Sequence, residues 1–230
     1  TDFSAPSRHA AQRAAMLARQ TGASMTLLHT VGGSALDDLR RWLADDSAAA
    51  GVIEADARRR LQDLATELGR QREVTVRTHR AIGPPVEPMG RHADDVGAGL
   101  LVTGTRGAGF LRGVVVGSTA ERVAKRTSRP VLMVRQLPHE PYRRILVPVD
   151  FSDWSRSAIE LALRIAPQAT LVLMHAVDLP FEGKLRVAGV TDDAVMRYRS
   201  AAQREALQRL HELVADAGLE HEQHDDRQQH

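Results

Sequence analysis

Residues 99–134 read GLLVTGTRGAGFLRGVVVGSTAERVAKRTSRPVLMV, and this stretch decides the fold class. It opens with the apolar run Leu100–Thr103, which is short enough for a strand buried on both faces. A loop follows whose glycines allow positive φ and close approach to a ligand, namely Gly104, Gly107, Gly109 and Gly113. A capping box at Ser118–Glu121 predicts a helix start, and Pro130 ends the helix before a second apolar run, Val131–Val134. Strand, glycine loop, helix and strand make one βαβ unit with its loop at the ligand-binding end of the sheet.

The glycine spacing of this stretch resembles the G-x2-G-x9-G-(S/T) signature of nucleotide-binding universal stress proteins. Gly104 and Gly107 match its first two glycines, and Gly117-Ser118 matches its end. The flanks LLVTGTRG and VVVGSTAERVAKRTSRPVLMV also resemble that family. The loop is not a Walker A motif, because no Lys follows a glycine in the required arrangement and Lys125 lies inside the helix. The resemblance implies ATP as the ligand, with a divalent ion such as Mg²⁺ beside the phosphates.

The resemblance also implies which residues hold the nucleotide. The family's first strand ends in an Asp that binds near the sugar or base, and Asp2 matches it; the alternative is a helix N-cap or an exposed terminal acid. Thr30 and Val31 follow the second strand, where the family contacts adenine, although Val31 also suits an ordinary core. The phosphates are assigned to the loop and the helix start, through Gly104, Arg106, Gly107, Gly117, Ser118 and Thr119. Two of these have a second explanation, since Arg106 can sit in solvent and Ser118 can simply cap its helix.

Composition excludes several classes of protein. The absence of cysteine excludes a disulfide framework and thiolate metal sites. No apolar run approaches the ~18 residues of a membrane span, and no signal peptide is visible, so we expect a cytoplasmic protein without a membrane partner. The net charge is only +2, with acidic and basic residues interleaved. This pattern favours solvated helix faces over a nucleic-acid interface.

The remaining sequence contains an internal duplication. Asp150-Phe151-Ser152 repeats Asp2-Phe3-Ser4, and Leu171–His175 repeats Met25–His29 in the same order and with similar spacing. Each of these second strands therefore ends in a histidine, which we interpret as a packing feature rather than a catalytic base. Between the two copies, Pro138–Pro141 forms a proline-bearing linker. The pattern predicts a tandem protein.

We predict two α/β modules, residues 1–137 with the glycine loop and residues 142–230 without it. Each is expected to be Rossmann-like (flavodoxin-like), with a five-stranded parallel sheet flanked by helices. The first copy begins at the end of its first strand, so we expect further residues before Thr1. The second copy has that strand, Ile145–Val149, but no second glycine loop, so it is either truncated or degenerate. Periodicity predicts the other elements of the first module, which are helices at Ser7–Gln20, Val52–Leu68 and Val86–Asp95 and strands at Met25–His29 and Val74–Thr78.

Three functions remain open at this stage. The first is an ATP-binding stress-response protein in which the nucleotide shifts a conformational or protein-partner equilibrium. The second is an interaction scaffold, with pairing of the tandem modules or a homodimer and a vestigial glycine loop. The third is a slow ATPase, which we rank last because no general base or in-line nucleophile stands out.

Overall fold

The computed structural model describes residues 1–31, 47–105, 118–188 and 190–217. The chain divides into two units, Thr1–Pro141 (unit 1) and Tyr142–His230 (unit 2). Helices alternate with parallel strands in both, which confirms the α/β class. None of the helices in these described ranges is long and apolar enough to cross a membrane.

Unit 1 contains the longer run of elements. In chain order they are α1 (Ala5–Thr21), β1 (Met25–Val31), α2 (Ser47–Arg72), β2 (Val76–Ile82), α3 (Val86–Asp95), β3 (Leu101–Gly104), α4 (Ser118–Arg126) and β4 (Val131–Val134). Unit 2 repeats the first part of this order with an additional strand in front. Its elements are β5 (Arg144–Pro148), α5 (Asp153–Ile165), β6 (Thr170–Met174), α6 (Glu182–Val187) and α7 (Asp192–Asp216).

All strand pairs among the described residues are parallel. β1 pairs with β2, β3 with β4, and β5 with β6. The register places the ends of β1 and β2 side by side, with Val31 opposite Ile82. Gly104 and Val134 end β3 and β4 in the same way. Because the strands of each pair end together, the residues that follow them share one edge of the sheet.

The strands of unit 1 form two separate pairs among its described residues, whereas the sequence predicted one five-stranded sheet. In unit 2, β5 leads into the Asp-Phe-Ser turn and pairs with β6. The corresponding turn of unit 1 leads into α1. There the first residues contact both sheets: Thr1 is hydrogen-bonded to Leu28 of β1, and the backbone of Pro6 approaches Gly104 of β3.

The core of unit 1 lies where α1 and α2 pack on β1. Three alanines of α1 are buried there, Ala11, Ala15 and Ala18, and their small side chains allow the helix to approach closely. The larger side chains of this core are Met25, Leu27, Leu61, Leu64 and Leu68. Unit 2 has the corresponding core, in which Val147, Val149, Ile159 and Ala162 are buried with Leu171, Leu173, Leu210 and Leu213 packed against them.

The end of α2 accounts for an error in the predicted start of β2. We expected a strand at Val74–Thr78, but β2 begins at Val76. Glu73 has φ 54°, in the left-handed region, and the Val74 N–H donates to the Gly69 carbonyl at 3.3 Å. These two features form a Schellman motif, which ends the helix and uses the first two residues of the expected strand.

Glu73→Gly is expected to stabilise unit 1. Glycine adopts the left-handed conformation without the penalty of a β-carbon, and that penalty is roughly 1–2 kcal/mol. Glu73 also pairs with Arg19 at 2.6 Å, a contact between exposed side chains that contributes at most about 1 kcal/mol. Glu73→Gln removes this charge and keeps the β-carbon. Glu73→Gly should therefore unfold at a higher temperature than Glu73→Gln, as measured by circular dichroism.

The matched control for this prediction is the end of α1. Gly22 occupies the equivalent position there with φ 68°, so Gly22→Ala should destabilise unit 1 by about 1 kcal/mol. Equal melting temperatures for Glu73→Gly and Glu73→Gln would contradict the assignment of strain to Glu73.

Candidate functional site

The chain start forms a tight turn that presents the carboxylate of Asp2. Asp2 Oδ1 accepts hydrogen bonds from the Ser4 N–H at 3.0 Å and from the Ser4 hydroxyl at 2.5 Å. Ser4, not Asp2, is the N-cap of α1, since its side chain accepts from the Ser7 N–H at 3.4 Å. The N-cap alternative for Asp2 is therefore wrong. Its exposed carboxylate instead closes an Asx turn that ends at Ser4, directly before the first residue of α1.

This turn is attached to the carboxyl end of β1. The Thr1 nitrogen donates to the Leu28 carbonyl at 2.6 Å, and His29 Nδ1–H donates to the Thr1 carbonyl at 2.7 Å. The rings of Phe3 and His29 are in contact, with centroids 4.5 Å apart. Burial is the main cause that lowers the pKa of His29. The two neighbours of Asp2 are thereby held to Leu28 and His29, which directly precede Thr30 and Val31 in β1.

Unit 2 repeats the same turn with nearly the same distances. The Val149 N–H donates to the Met174 carbonyl at 2.8 Å, and His175 Nδ1–H donates to the Val149 carbonyl at 2.7 Å. The ring of Phe151 lies 4.4 Å from that of His175. Phe3 and Phe151 also share a left-handed backbone, with φ 64° and 63°. The duplication predicted from sequence therefore extends to individual hydrogen bonds.

The two turns differ at one serine. Asp150 Oδ1 accepts from the Ser152 N–H, the Ser152 hydroxyl and the Ser155 hydroxyl, at 3.0, 2.6 and 2.6 Å. These bonds hold the pKa of Asp150 well below its usual range, with Ser152 as the largest cause. In unit 1 the matching hydroxyl, that of Ser7, donates to the Ser4 carbonyl at 2.9 Å instead. The Ser155 hydroxyl thus donates to Asp150, whereas the equivalent Ser7 hydroxyl donates to a backbone carbonyl.

The glycine-signature part of the site begins where β3 ends. Gly104 lies against the start of α1, and a β-carbon there would be 2.7 Å from the Pro6 carbonyl oxygen. The Thr105 N–H donates to the Val134 carbonyl at 3.2 Å, which continues the ladder past the strand end. Because α4 leads from β3 into the parallel strand β4, its first turn lies at the carboxyl edge of these strands.

The described residues include only part of the predicted phosphate site. The backbone of Ser118 starts α4, and Thr119 is half-buried in its first turn. The predicted contacts Arg106, Gly107 and Gly117 lie outside the described residues. Asp2, Thr30, Val31 and Gly104 are described. The Asp2 turn is hydrogen-bonded to β1, and α1, which follows the turn, approaches Gly104 of β3 through Pro6.

A shallow recess of about 350 Å³ opens at the carboxyl ends of β1 and β2. It is lined by Val31, Glu54, Arg80, Ala81 and Ile82. Arg80 Nη1 donates to the Glu54 carbonyl at 3.3 Å, and Ile82 is 64% exposed. Sequence analysis singled out only Val31. Ile82 could have been recognised from the sequence as well, because it is an apolar residue directly before the turn that begins at Gly83.

The described residues do not form a metal site by themselves. Over the ranges that the structure describes, no three His, Asp or Glu side chains lie together as ion ligands would. Two acidic residues lie near the ends of β1 and β2 in the described part of the chain: Asp2 follows Thr1, which is hydrogen-bonded to β1, and Glu54 lines the recess with Val31.

The family model with the description "Universal stress protein family" matches residues 1–135 and 141–229. Universal stress protein G of Salmonella typhimurium (strain LT2) is 29% identical over 126 residues, covering 55% of this chain and 87% of that protein. Universal stress protein YxiE of Bacillus subtilis (strain 168) is 32% identical over 76 residues, which are 33% of this chain and only about half (51%) of the relative.

A solved structure shares the fold over most of the chain. It is a universal stress protein from Archaeoglobus fulgidus DSM 4304, with a TM-score of 0.60 and 20% identity. The match covers 82% of this chain and 70% of that one. The two matched segments of the family model correspond to a tandem arrangement.

Proposed function

The chain belongs to the universal stress protein family, and from this premise we propose that unit 1 binds ATP and acts as a nucleotide-dependent regulatory module. The observation that carries the proposal is the Asp2 turn, which is hydrogen-bonded to Leu28 and His29 of β1 and leads into α1, whose Pro6 contacts the first glycine of the signature at the end of β3. Ligands of open α/β sheets bind at this edge.

The nucleoside half of ATP suits the residues around the ends of β1 and β2. The exposed Asp2 carboxylate is a strong acceptor for the ribose hydroxyls. Thr30 and Val31 would contact adenine, and the apolar surface of Ile82 in the adjoining recess supports this. The recess of about 350 Å³ is near the lower limit of roughly 300–1,000 Å³ for ligand pockets.

The phosphates would lie on the glycine loop and the first turn of α4. The N–H groups of Gly107, Gly117 and Thr119 and the hydroxyl of Ser118 would bind them, because a helix start carries free N–H groups and a favourable dipole. Gly104 would allow the backbone to approach, and Arg106 would neutralise charge. Mg²⁺ would supply charge compensation between the phosphates, with water completing its coordination.

A scaffold function has one observation in its favour. In unit 2, Leu146 and Met174 on the paired strands are 55% and 50% exposed, and Trp154 is 83% exposed. Leu146 and Met174 lie on neighbouring strands, and contiguous apolar surface is typical of protein-binding faces. This function requires no nucleotide, so the experiment that tests ATP binding also separates the two.

ATP binding is tested by calorimetric titration and by thermal unfolding with and without Mg²⁺. Saturation at about 100 times Kd should stabilise unit 1 by about 2.7 kcal/mol. Ser118→Ala should weaken binding by about ten- to a hundredfold, the effect of losing a hydrogen bond to a charged group. Gly117→Ala keeps its backbone N–H and should weaken binding because the added β-carbon hinders close approach of the phosphate.

Gly90→Ala is the matched control, because this glycine lies in α3, outside the signature, and a β-carbon there would meet nothing within 4 Å. It should bind ATP as the parent does. An unaltered chain that shows neither heat nor stabilisation at millimolar ATP would refute the proposal and favour the scaffold. Phosphate release measured on the same samples would detect hydrolysis.

A further inference from the structure

We propose that His29 is a positioning residue that holds the Asp2 carboxylate in its ligand-binding orientation; this inference rests on the nucleotide site proposed above. The arrangement that carries it consists of Phe3 and His29, here called the His–Phe clamp. Sequence analysis interpreted His29 only as a packing feature, but the structure shows it holding the residues on both sides of Asp2.

The first contact of the clamp is a hydrogen bond to the residue before Asp2. The acceptor of His29 Nδ1 is the Thr1 carbonyl, so Nδ1 must carry the proton. At 2.7 Å this is a short bond, and it fixes the peptide plane that leads into Asp2. The orientation of that plane sets where the Asp2 side chain begins.

The second contact is to the residue after Asp2. Phe3 has φ 64°, a left-handed conformation that is unfavourable for a bulky residue and persists only where its surroundings enforce it. The ring of His29, 4.5 Å away, forms part of these surroundings. One imidazole thus contacts both neighbours of Asp2, and the carboxylate closes the turn by accepting from the Ser4 N–H.

Unit 2 contains a second clamp, made by Phe151 and His175. Its hydrogen bond has the same length, 2.7 Å, and its rings are 4.4 Å apart. The glycine signature, however, follows β3 of unit 1, and no second copy of it occurs in the sequence. The chain therefore offers an internal control, since breaking either clamp should loosen one turn but only the clamp of unit 1 should affect ATP.

The experiment uses the whole chain with His29→Leu, His29→Asn and His175→Leu. Leucine removes the donor and keeps an apolar side chain, whereas the asparagine amide places a donor close to the position of Nδ1. Two quantities are measured: Kd for ATP with Mg²⁺, below the melting temperature of each variant, and the NMR shift and exchange rate of the Ser4 and Ser152 amide protons. These two amides report the bonds to Asp2 and Asp150.

We expect His29→Leu to weaken ATP binding by about two- to tenfold, as for loss of one hydrogen bond. The Ser4 amide should move while the Ser152 amide does not. His29→Asn should restore both quantities most of the way, and His175→Leu should move only the Ser152 amide and leave Kd unchanged. If His29→Leu does not fold, Phe3→Ala breaks the clamp from its other side and should give the same pattern.

Two outcomes would overturn the inference. One is a Ser4 amide that is unchanged in His29→Leu, because the turn would then not depend on the imidazole. The other is a Ser4 amide that moves without any change in ATP affinity. If the unaltered chain binds no ATP at all, the proposed function fails, and the Ser4 amide alone decides whether His29 positions Asp2.

Discussion

Gly104→Ala is expected to lower the free energy of unfolding of unit 1 by about 1–3 kcal/mol, which corresponds to a fall in melting temperature of about 3–10 °C. The new β-carbon would lie 2.7 Å from the Pro6 carbonyl oxygen and 2.8 Å from its carbonyl carbon. Both are backbone atoms at the start of α1, so no side-chain rotation can relieve the overlap. Either α1 or β3 must shift.

The control for this prediction is Gly90→Ala. Gly90 lies inside α3, and a β-carbon there would meet nothing within 4 Å. Alanine has the higher helix propensity, so this variant should gain about 0.5–1 kcal/mol. Thermal unfolding followed by circular dichroism measures both variants. A Gly104→Ala protein as stable as its parent would show that the contact with Pro6 is not tight.

The same measurement separates two explanations for Gly104. The signature resemblance attributes this glycine to close approach of a phosphate, whereas the structure attributes it to close approach of α1. A variant that loses stability in the absence of ATP supports the packing explanation. A variant that keeps its stability and loses only ATP affinity supports the ligand explanation.

Elements bounded by strong local signals could be predicted from the sequence at both ends. The helix at Val86–Asp95 follows two prolines, and the strand at Val131–Val134 follows Pro130, which cannot continue a helix. The start of β2 could not be predicted in this way. It depends on the left-handed conformation of Glu73, and a glutamate gives no local indication that a helix ends there.

Residues of the candidate site could be singled out from the sequence, but the contacts between them could not. The repeated Asp-Phe-Ser and strand-end histidine identified both turns, because each is a short string of residue types. The bond from His29 to the Thr1 carbonyl joins residues 28 positions apart, and such a contact depends on tertiary packing. The recess has the same origin, since Arg80 and Ile82 reach Val31 only through the register of β1 and β2.

The same substitution should affect ATP binding at Asp2 and stability at Asp150. Asp2→Ala is expected to weaken ATP binding by about ten- to a hundredfold, because a hydrogen bond to a charged group contributes about 1.5–3 kcal/mol. Asp150→Ala should leave ATP affinity within about twofold, since it would change a unit whose sequence lacks the glycine signature. Its effect should fall on stability, because the hydroxyls of Ser152 and Ser155 lose their shared acceptor.

Asp2→Asn distinguishes the charge of the carboxylate from the turn that it closes. The asparagine amide oxygen can still accept from the Ser4 N–H and hydroxyl, so the turn should persist while the negative charge is lost. Calorimetric titration of the three variants against ATP measures the result. Equal loss of affinity in Asp2→Asn and Asp2→Ala would assign the interaction to the charge, and full affinity in Asp2→Asn would assign it to the geometry of the turn. Full affinity in Asp2→Ala would contradict a role for Asp2 in binding. Its carboxylate would then serve to stabilise the turn that precedes α1.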